Sequence, residues 1–523
     1  MDRGLNTLYE AVARQASRRP DALAIAHEHG RVSYREFHQL STRTAAGLHA
    51  RGVGARDLIA MQLPNSLPFV VMLLAAGALG ATVQMLHMAY RRAELSALLA
   101  HGGAGVFVGL PAFKNETPLD TVLSLGLVRL LVSGSEQAER GEAAATGAHP
   151  SWLNLTAASA GAAHCLPSVD PGSRYVLLHT SGTTAEPKGV QVSHRQFIGN
   201  AAASIEPLQV RESDVVLPAA PFTHLYGLFA LELGLLAGAG ISLLPAFTPA
   251  ALLACLRRDR VSTVFAGPAH FRPILLMTDP AALAPLADLR LICLSGTAMA
   301  TELAQAVEAL TTQGKVVQLW GMTELQAGAY GRPDDPAEMR HGTAGKPSPG
   351  TELRIRVSGG AAGPGQTGPL QMRGPSLFSG YLNNPDATAA AFDDGWFDTG
   401  DLGYLTGDGA LVLTGRIKEI INRGGVKFSP VEVESIIDGL PGVVRSAVVP
   451  MPDDILGERA CIFVEASQPL SLDQITAALD QAGIARYKWP ERLEMVEAMP
   501  MTPTQKVMRG RLTARLATQR GDR

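Results

Sequence analysis

From Leu5 to about Phe271 the chain alternates two textures. Residues 7–18 and 33–51 repeat apolar side chains at helical spacing, and short apolar runs such as 58–63 and 105–109 stand between segments of that kind. The alternation predicts α/β layers built on a largely parallel sheet. Residues 289–294 and 315–320 continue the strand series and stop at small or polar residues, Ser295-Gly296-Thr297-Ala298 and Gly321-Met322-Thr323-Glu324. Residues 175–180, apolar with β-branched and aromatic members, read as another short buried strand running into a loop rich in hydroxyls. Ligands in open α/β sheets collect beyond the carboxyl ends of strands, so these ends are expected to converge on one cleft.

Two longer apolar runs raise the question of a membrane span. Residues 69–83 lie between Pro68 and Gln84 and contain Gly77 and Gly80. They fall short of the ~18 to 20 residues a spanning helix needs, and predict a buried core helix instead. Residues 227–247 are interrupted by Glu232 and Pro245 and predict a helix followed by a buried strand. Beyond Pro333 glycine and proline become dense between short alternating runs at 352–357 and 411–414, the texture of a β-rich subdomain over about 333–415. The glycine-rich stretch from Gly359 to Gly365 has no adjacent lysine or helix start and predicts a hairpin turn. A helix at 429–440, strands at 446–449 and 460–465 and a helix at 471–483 make the rest an α+β unit of ordinary domain size. The expected class is α/β: a large N-terminal domain of layered subdomains, residues 1–417, and a small C-terminal domain, residues 418–523.

Composition narrows the class without naming a substrate. A chain of 523 residues suggests about three structural units at roughly 150 residues each. It is 46% hydrophobic and 18% charged with a net charge of −3, a globular balance that gives no reason to expect a nucleic-acid partner. Cys165, Cys255, Cys293 and Cys461 are far apart with no metal-like spacing, so free thiols in a reducing compartment are expected. The first residues show no apolar secretory stretch, which points to the cytoplasm.

The loop from Thr180 to Val190, TSGTTAEPKGV, sets hydroxyls and glycines around Lys188. Glycine allows close backbone approach, freed N–H groups can surround an anion, and a lysine supplies a point charge to phosphate. The order does not fit the common G-x-x-x-x-G-K-[ST] loop, because Lys188 is followed by Gly189 and Val190. It resembles the phosphate loop of the adenylate-forming superfamily, which contains acyl- and aryl-CoA synthetases, peptide-synthetase adenylation domains and luciferases. Further stretches carry the resemblance in order along most of the chain: Pro221-Phe-Thr-His-Leu-Tyr-Gly227, Gln318-Leu-Trp-Gly-Met-Thr-Glu324, Gly342-Thr-Ala-Gly-Lys-Pro-Ser-Pro-Gly350, Trp396-Phe-Asp-Thr-Gly-Asp401, Gly415-Arg-Ile-Lys-Glu-Ile-Ile421 and Pro500-Met-Thr-Pro-Thr-Gln-Lys506.

The resemblance implies a two-step reaction in which a carboxylic acid and ATP give an acyl-adenylate and pyrophosphate, after which a thiol, most simply that of coenzyme A, displaces AMP. It implies that Thr180, Ser181, Gly182, Thr183, Thr184 and Lys188 form the nucleotide-binding loop, with Ser181, Thr183, Thr184 and Lys188 on the β- and γ-phosphates. Glu324, with Thr184, would hold Mg²⁺, and Thr323 would reach the α-phosphate. Asp401 would take the ribose hydroxyls, assisted by Arg416, since an ionised carboxylate can accept two hydrogen bonds from a cis-diol. Trp320 and the backbone of Gly296, Thr297 and Ala298 would enclose the adenine, with Gly321 also among the nucleotide-binding positions. Lys506 would hold the α-phosphate and the incoming carboxylate together. The C-terminal domain would be mobile and turn about Lys418, bringing Gly424, Gly425 and Val426 to a pantetheine tunnel.

His224 would gate the acyl pocket, which would include Tyr226, Gly227, Leu228, Leu294, Ser295, Gly296, Gly321 and Met322. This small, apolar set favours a fatty or alicyclic acid and lacks the arginine a dicarboxylate would want. Outside that context His224 reads as a core histidine, Asp401 as a turn aspartate, and Lys506 as a solvated lysine on a tail. The sequence departs from the family pattern at Ala185, Pro369 and Gln505, where glycine, glutamate and glycine are usual. Two alternatives stay open: delivery of the acyl group to a separate carrier protein, and a catalytically weak nucleotide and acyl sensor. Monomer and oligomer are both compatible with the sequence.

Overall fold

The computed structural model describes residues 5–135, 150–157, 166–180, 188–297, 299–357, 360–453, 455–502 and 506–518. Ser181, Gly182, Thr183, Thr184, Ala185, Ala298, Gln505 and Cys165 lie outside them. The predicted alternation resolves into two large sheets. One has seven strands in the order Gly380–Tyr381, Lys188–Ser193, Arg174–Thr180, Thr82–Met85, Leu58–Gln62, Val106–Gly109 and Leu130–Ser133. The other has nine, in the order Lys346–Pro347, Gln326–Tyr330, Lys315–Met322, Leu291–Leu294, Thr263–Ala266, Val215–Pro218, Gly240–Ser242, Leu23–His27 and Gly30–Ser33. The inner strands of both run parallel, and antiparallel pairs occur toward their ends.

Two helices, Leu67–Leu79 and Leu225–Ala237, are buried on nearly every side within a core that takes residues from both sheets. Because they have no solvent face, they show no apolar stripe. That explains where the sequence reading of residues 69–83 overran. The helix ends at Gly80, which adopts φ +70°, and the strand Thr82–Met85 follows within the same apolar run. Gly77 makes room within the first helix, since a Cβ there would lie 3.2 Å from the ring of Tyr175. Residues 227–247 divide as expected into a helix and the strand Gly240–Ser242. Among the described residues no helix is long and apolar enough to cross a membrane, and Cys255, Cys293 and Cys461 are buried free thiols.

The β-rich subdomain is an antiparallel sheet that includes Glu352–Val357, Gly368–Arg373, Trp396–Leu405 and Leu411–Arg416. The C-terminal unit has its own five-stranded sheet and its own apolar core. It begins with the hairpin Ile421–Arg423 and Val426–Phe428, followed by the helix Pro430–Ile437 and the long strands Val443–Asp453 and Gly457–Ala466.

Glu232 lies inside the helix Leu225–Ala237 and is 0% exposed. Neither of its carboxylate oxygens has a hydrogen-bond partner among the described residues, and the same holds for the Tyr175 hydroxyl nearby. Burial raises the Glu232 pKa well above the usual carboxylate range, so this carboxyl stays protonated in the folded chain. The unfolded chain ionises it above about pH 4.3 and then binds fewer protons than the folded one. Stability should therefore fall with rising pH above that point through this group alone, until the folded carboxyl itself ionises. Glu232→Gln is expected to remove that slope and raise the melting temperature at pH 8 more than at pH 5, as read by calorimetry across that range.

Candidate active site

The site is assembled at the ends of strands predicted to converge. Strand Leu291–Leu294 ends at Ser295-Gly296-Thr297, and strand Thr263–Ala266 ends at Gly267, where the helix Pro268–Leu275 begins. These segments line a cleft with Ala220, Pro221, His224 and Tyr226, and its remaining wall is Lys506. Among the described lining residues Lys506 alone comes from beyond residue 417, so the cleft is complete only with the C-terminal unit docked.

His224 is the N-cap of the helix Leu225–Ala237, and its Nδ1 accepts the Tyr226 backbone N–H at 3.2 Å. An acceptor nitrogen carries no proton, so the neutral ring bears its hydrogen on Nε2. Burial pushes the His224 pKa down to about 3, and Lys506 and then His87 push the same way. The segment before it is pinned by Asn65, which accepts from Phe222 N at 2.7 Å and donates to Ala220 O at 3.0 Å. His87 holds Thr223 through a 2.7 Å hydrogen bond between Nδ1 and the hydroxyl. Tyr226 donates its hydroxyl to Cys293 O at 2.7 Å, leaving the ring as a wall.

Asp401 is 5% exposed. Its Oδ1 accepts Arg416 Nε at 2.9 Å, and Oδ2 accepts Trp320 Nε1 at 2.8 Å. Asp401 and Arg416 face each other across an antiparallel pair of strands, so their meeting follows directly from the register. Each oxygen has a further lone pair, and the pair can still receive a diol.

Glu324 is 6% exposed and accepts the Tyr381 hydroxyl at 3.0 Å. Burial raises its pKa, against the pull of the Tyr381 hydrogen bond and of Arg416 and Lys188. Lys188 stands 4.7 Å above the Tyr381 ring centroid, so Lys188 and Glu324 meet across one aromatic side chain. Lys506 is held by a short antiparallel pairing of Met501 with Val507, and its backbone N–H donates to Thr502 Oγ1 at 3.0 Å. Burial, and next Arg416, lowers the Lys506 pKa, while Asp401, Glu324 and Glu419 oppose the shift.

The structure thus gathers His224, Tyr226, Ser295, Gly296, Thr297 and Lys506 on one cleft, and links Trp320, Asp401 and Arg416 directly. Thr323 is half-buried between Met322 and Glu324, and Thr180 closes the strand Arg174–Thr180. Leu228, Leu294, Gly321 and Met322 are not among the cleft's lining residues. Gly227 serves packing, since a Cβ there would lie 2.3 Å from Pro221 O. Lys418 is exposed in a single 3-10 turn, Ile417–Glu419. Gly424 and Gly425, at φ +61° and +90°, form an exposed hairpin turn away from the cleft wall. Sequence reasoning missed Tyr381, His87, Asn65 and the wall Gly267–His270. Of these only the last had a signal, a strand ending in glycine and proline.

A divalent ion would suit Glu324, because hard cations take oxygen ligands. Among the described residues no group of three His, Cys, Asp or Glu side chains gathers to hold a metal. An ion there would therefore share Glu324 with nucleotide phosphates, as Mg²⁺ commonly does.

Residues 12–382 match the family described as AMP-binding enzyme, and residues 432–506 match the AMP-binding enzyme C-terminal domain. The salicyl-AMP ligase / salicyl-S-ArCP synthetase of Mycobacterium tuberculosis is 32% identical over 98% of this chain and 92% of its own. The medium-chain fatty-acid–CoA ligase of Escherichia coli is 31% identical over 94% of this chain and 87% of its own. The ATP-bound crystal structure of MatB from Rhodopseudomonas palustris superposes with a TM-score of 0.84 at 26% identity, covering 97% of this chain and 98% of that one.

With its pKa near 3, His224 should remain neutral throughout the ordinary pH range. NMR titration of ring-labelled histidines is expected to show no protonation of His224 down to pH 5. His224→Asn, which preserves a capping acceptor, should be more stable than His224→Ala by about 1 kcal/mol in urea unfolding.

Proposed function

The chain belongs to the AMP-binding enzyme family and is an adenylate-forming ligase, and from that premise we propose that it activates a fatty or alicyclic monocarboxylate and transfers the acyl group to coenzyme A. The observation that carries this reading is the position of Lys506 in the wall of a cleft whose other described lining residues are uncharged, the His224 and His270 rings included, beside the linked Asp401, Arg416 and Trp320. Among the described lining residues Lys506 is the one cation, a counter-charge that matches one carboxylate.

In the first step a carboxylate oxygen of the acid attacks the α-phosphorus of ATP. The bond to the oxygen bridging to the β-phosphate breaks, and pyrophosphate leaves. Lys506 offsets the repulsion between the two anions, and the neutral His224 offers Nε2–H to an oxygen at the cleft. Asp401 fixes the ribose, with Arg416 and Trp320 holding its carboxylate in place. Lys188, with the Ser181, Thr183 and Thr184 hydroxyls, takes the β- and γ-phosphates. Mg²⁺ on Glu324 would neutralise phosphate charge when bound. In the second step the thiol sulfur attacks the acyl carbonyl carbon, the thiol proton is released, and AMP departs with the electron pair of the broken C–O bond. Lys418 is the hinge for the change between steps, and Gly424 and Gly425 then border the pantetheine.

A second reading has an observation of its own, since the Mycobacterium tuberculosis relative is named for loading a carrier protein. Pyrophosphate release across a panel of fatty, alicyclic and aromatic acids, followed by thioester formation with coenzyme A or a phosphopantetheinylated carrier protein, separates the readings. We expect release with an apolar acid, a coenzyme A thioester, and a loss of about 10²-fold or more in Lys506→Ala. A carrier thioester without any coenzyme A product would overturn the acceptor, and a clear preference for aromatic acids would overturn the acyl class.

A further inference from the structure

Lys506 reaches the cleft only while the C-terminal unit is docked, so some contact must hold the two units in that orientation. One such contact lies on the helix Pro268–Leu275, whose first residues Pro268, Ala269 and His270 form part of the cleft wall. Two residues beyond His270, Arg272 reaches across to Asp438 of the C-terminal unit. Its Nη2 donates to Asp438 Oδ2 at 2.8 Å, and its Nη1 donates to the Asp438 backbone carbonyl at 3.1 Å. The two side chains are only 13% and 19% exposed.

Asp438 is a prepared receptor. It is the C-cap of the helix Pro430–Ile437, where unsatisfied carbonyls and the helix dipole favour a cation. Its other oxygen is fixed by the Ser446 backbone N–H at 2.6 Å and the Ser446 hydroxyl at 2.8 Å. The same helix carries Glu434, which binds Arg509 through both oxygens at 2.5 and 2.7 Å and also accepts the Val448 N–H. Arg509 follows Lys506 by three residues and pairs with Glu419 at 3.4 Å, beside Lys418. A contact at one end of this helix is thereby tied to the segment bearing Lys506 and to the link between the units.

We propose that Arg272 is a positioning residue that latches the C-terminal unit, through Asp438, in the orientation where Lys506 completes the cleft, and that the latch serves adenylate formation and parts for the thiol step. The second half of this statement rests on the ligase reading above, and the first half does not.

Acetylation of the full-length protein with N-hydroxysuccinimidyl acetate, followed by mass spectrometry, reads the latch without any substrate. Lys506 is partly buried, and Lys488, partly buried against Glu432 in the same unit, is the internal reference. Arg272→Ala should raise the Lys506 labelling rate at least threefold with Lys488 unchanged, and Arg272→Lys, which keeps the charge, should raise it less. An unchanged Lys506 rate overturns the latch, as does a matching rise at Lys488, which would signal general loosening. With an acid that supports pyrophosphate release, Arg272→Ala should slow that release at least tenfold and leave thioester formation from added acyl-adenylate within twofold of the parent. An equal fall in both steps overturns the role in the cycle. Increased Lys506 labelling in a protein whose parent releases no pyrophosphate with any acid would sustain the latch and remove the ligase reading.

Discussion

An ammonium group drawn partly out of water where two structural units meet is the constraint on which this molecule turns. Removing Lys506 from water is unfavourable, and Arg416 adds to the penalty. Carboxylates on three separate segments, Asp401, Glu324 and Glu419, oppose it. None of the three is idle otherwise: Asp401 is braced by Trp320 and Arg416, Glu324 by Tyr381, and Glu419 by Arg509. Charge compensation thus extends through the site as a connected set, and the docking of the C-terminal unit is one of its terms.

The scaffold around that set is made of elements with no polar face. The helices Leu67–Leu79 and Leu225–Ala237 are sealed within the core, which gives His224 a fixed platform at the end of one of them. Because the cap accepts a backbone N–H through Nδ1, local helix geometry selects the tautomer of the ring that faces the cleft. A structural requirement, satisfying an exposed helix terminus, has the chemical result of presenting a neutral donor.

Much of this was legible in the sequence where the signal is local. The strand end at Leu294 followed from a short apolar run stopping at small residues, whereas the strand expected to stop at Trp320 continues through Gly321 to Met322, where it pairs with Gln326–Tyr330; the change to a β-rich subdomain followed from glycine and proline density. Asp401 and Arg416 sit in neighbouring strands joined by a short turn, so motif order and spatial proximity coincide. What stayed hidden depends on distant pairing: Tyr381 meets Glu324 across 57 positions, and Arg272 meets Asp438 across 166. Glu232 shows another limit. In the sequence it looks like a polar break in an apolar run, whereas it is an unpartnered carboxyl in the core. A helix buried on all sides carries no periodicity that would reveal this. Gly80 ended a helix inside a continuous apolar stretch for the same reason.

The helix Pro268–Leu275 ties molecular recognition to large-scale geometry. Its first turn shapes the cleft and its next turn grips the neighbouring unit, so a displacement that widens one end moves the other. Substitutions that reshape the cleft at Gly267–His270 are therefore mechanically linked to the Arg272–Asp438 contact. The wall at Tyr226 is anchored instead to the Cys293 carbonyl within the core. The cleft thus has two mechanically unequal walls, one that carries the seam between the two units and one fastened to the core strand Leu291–Leu294.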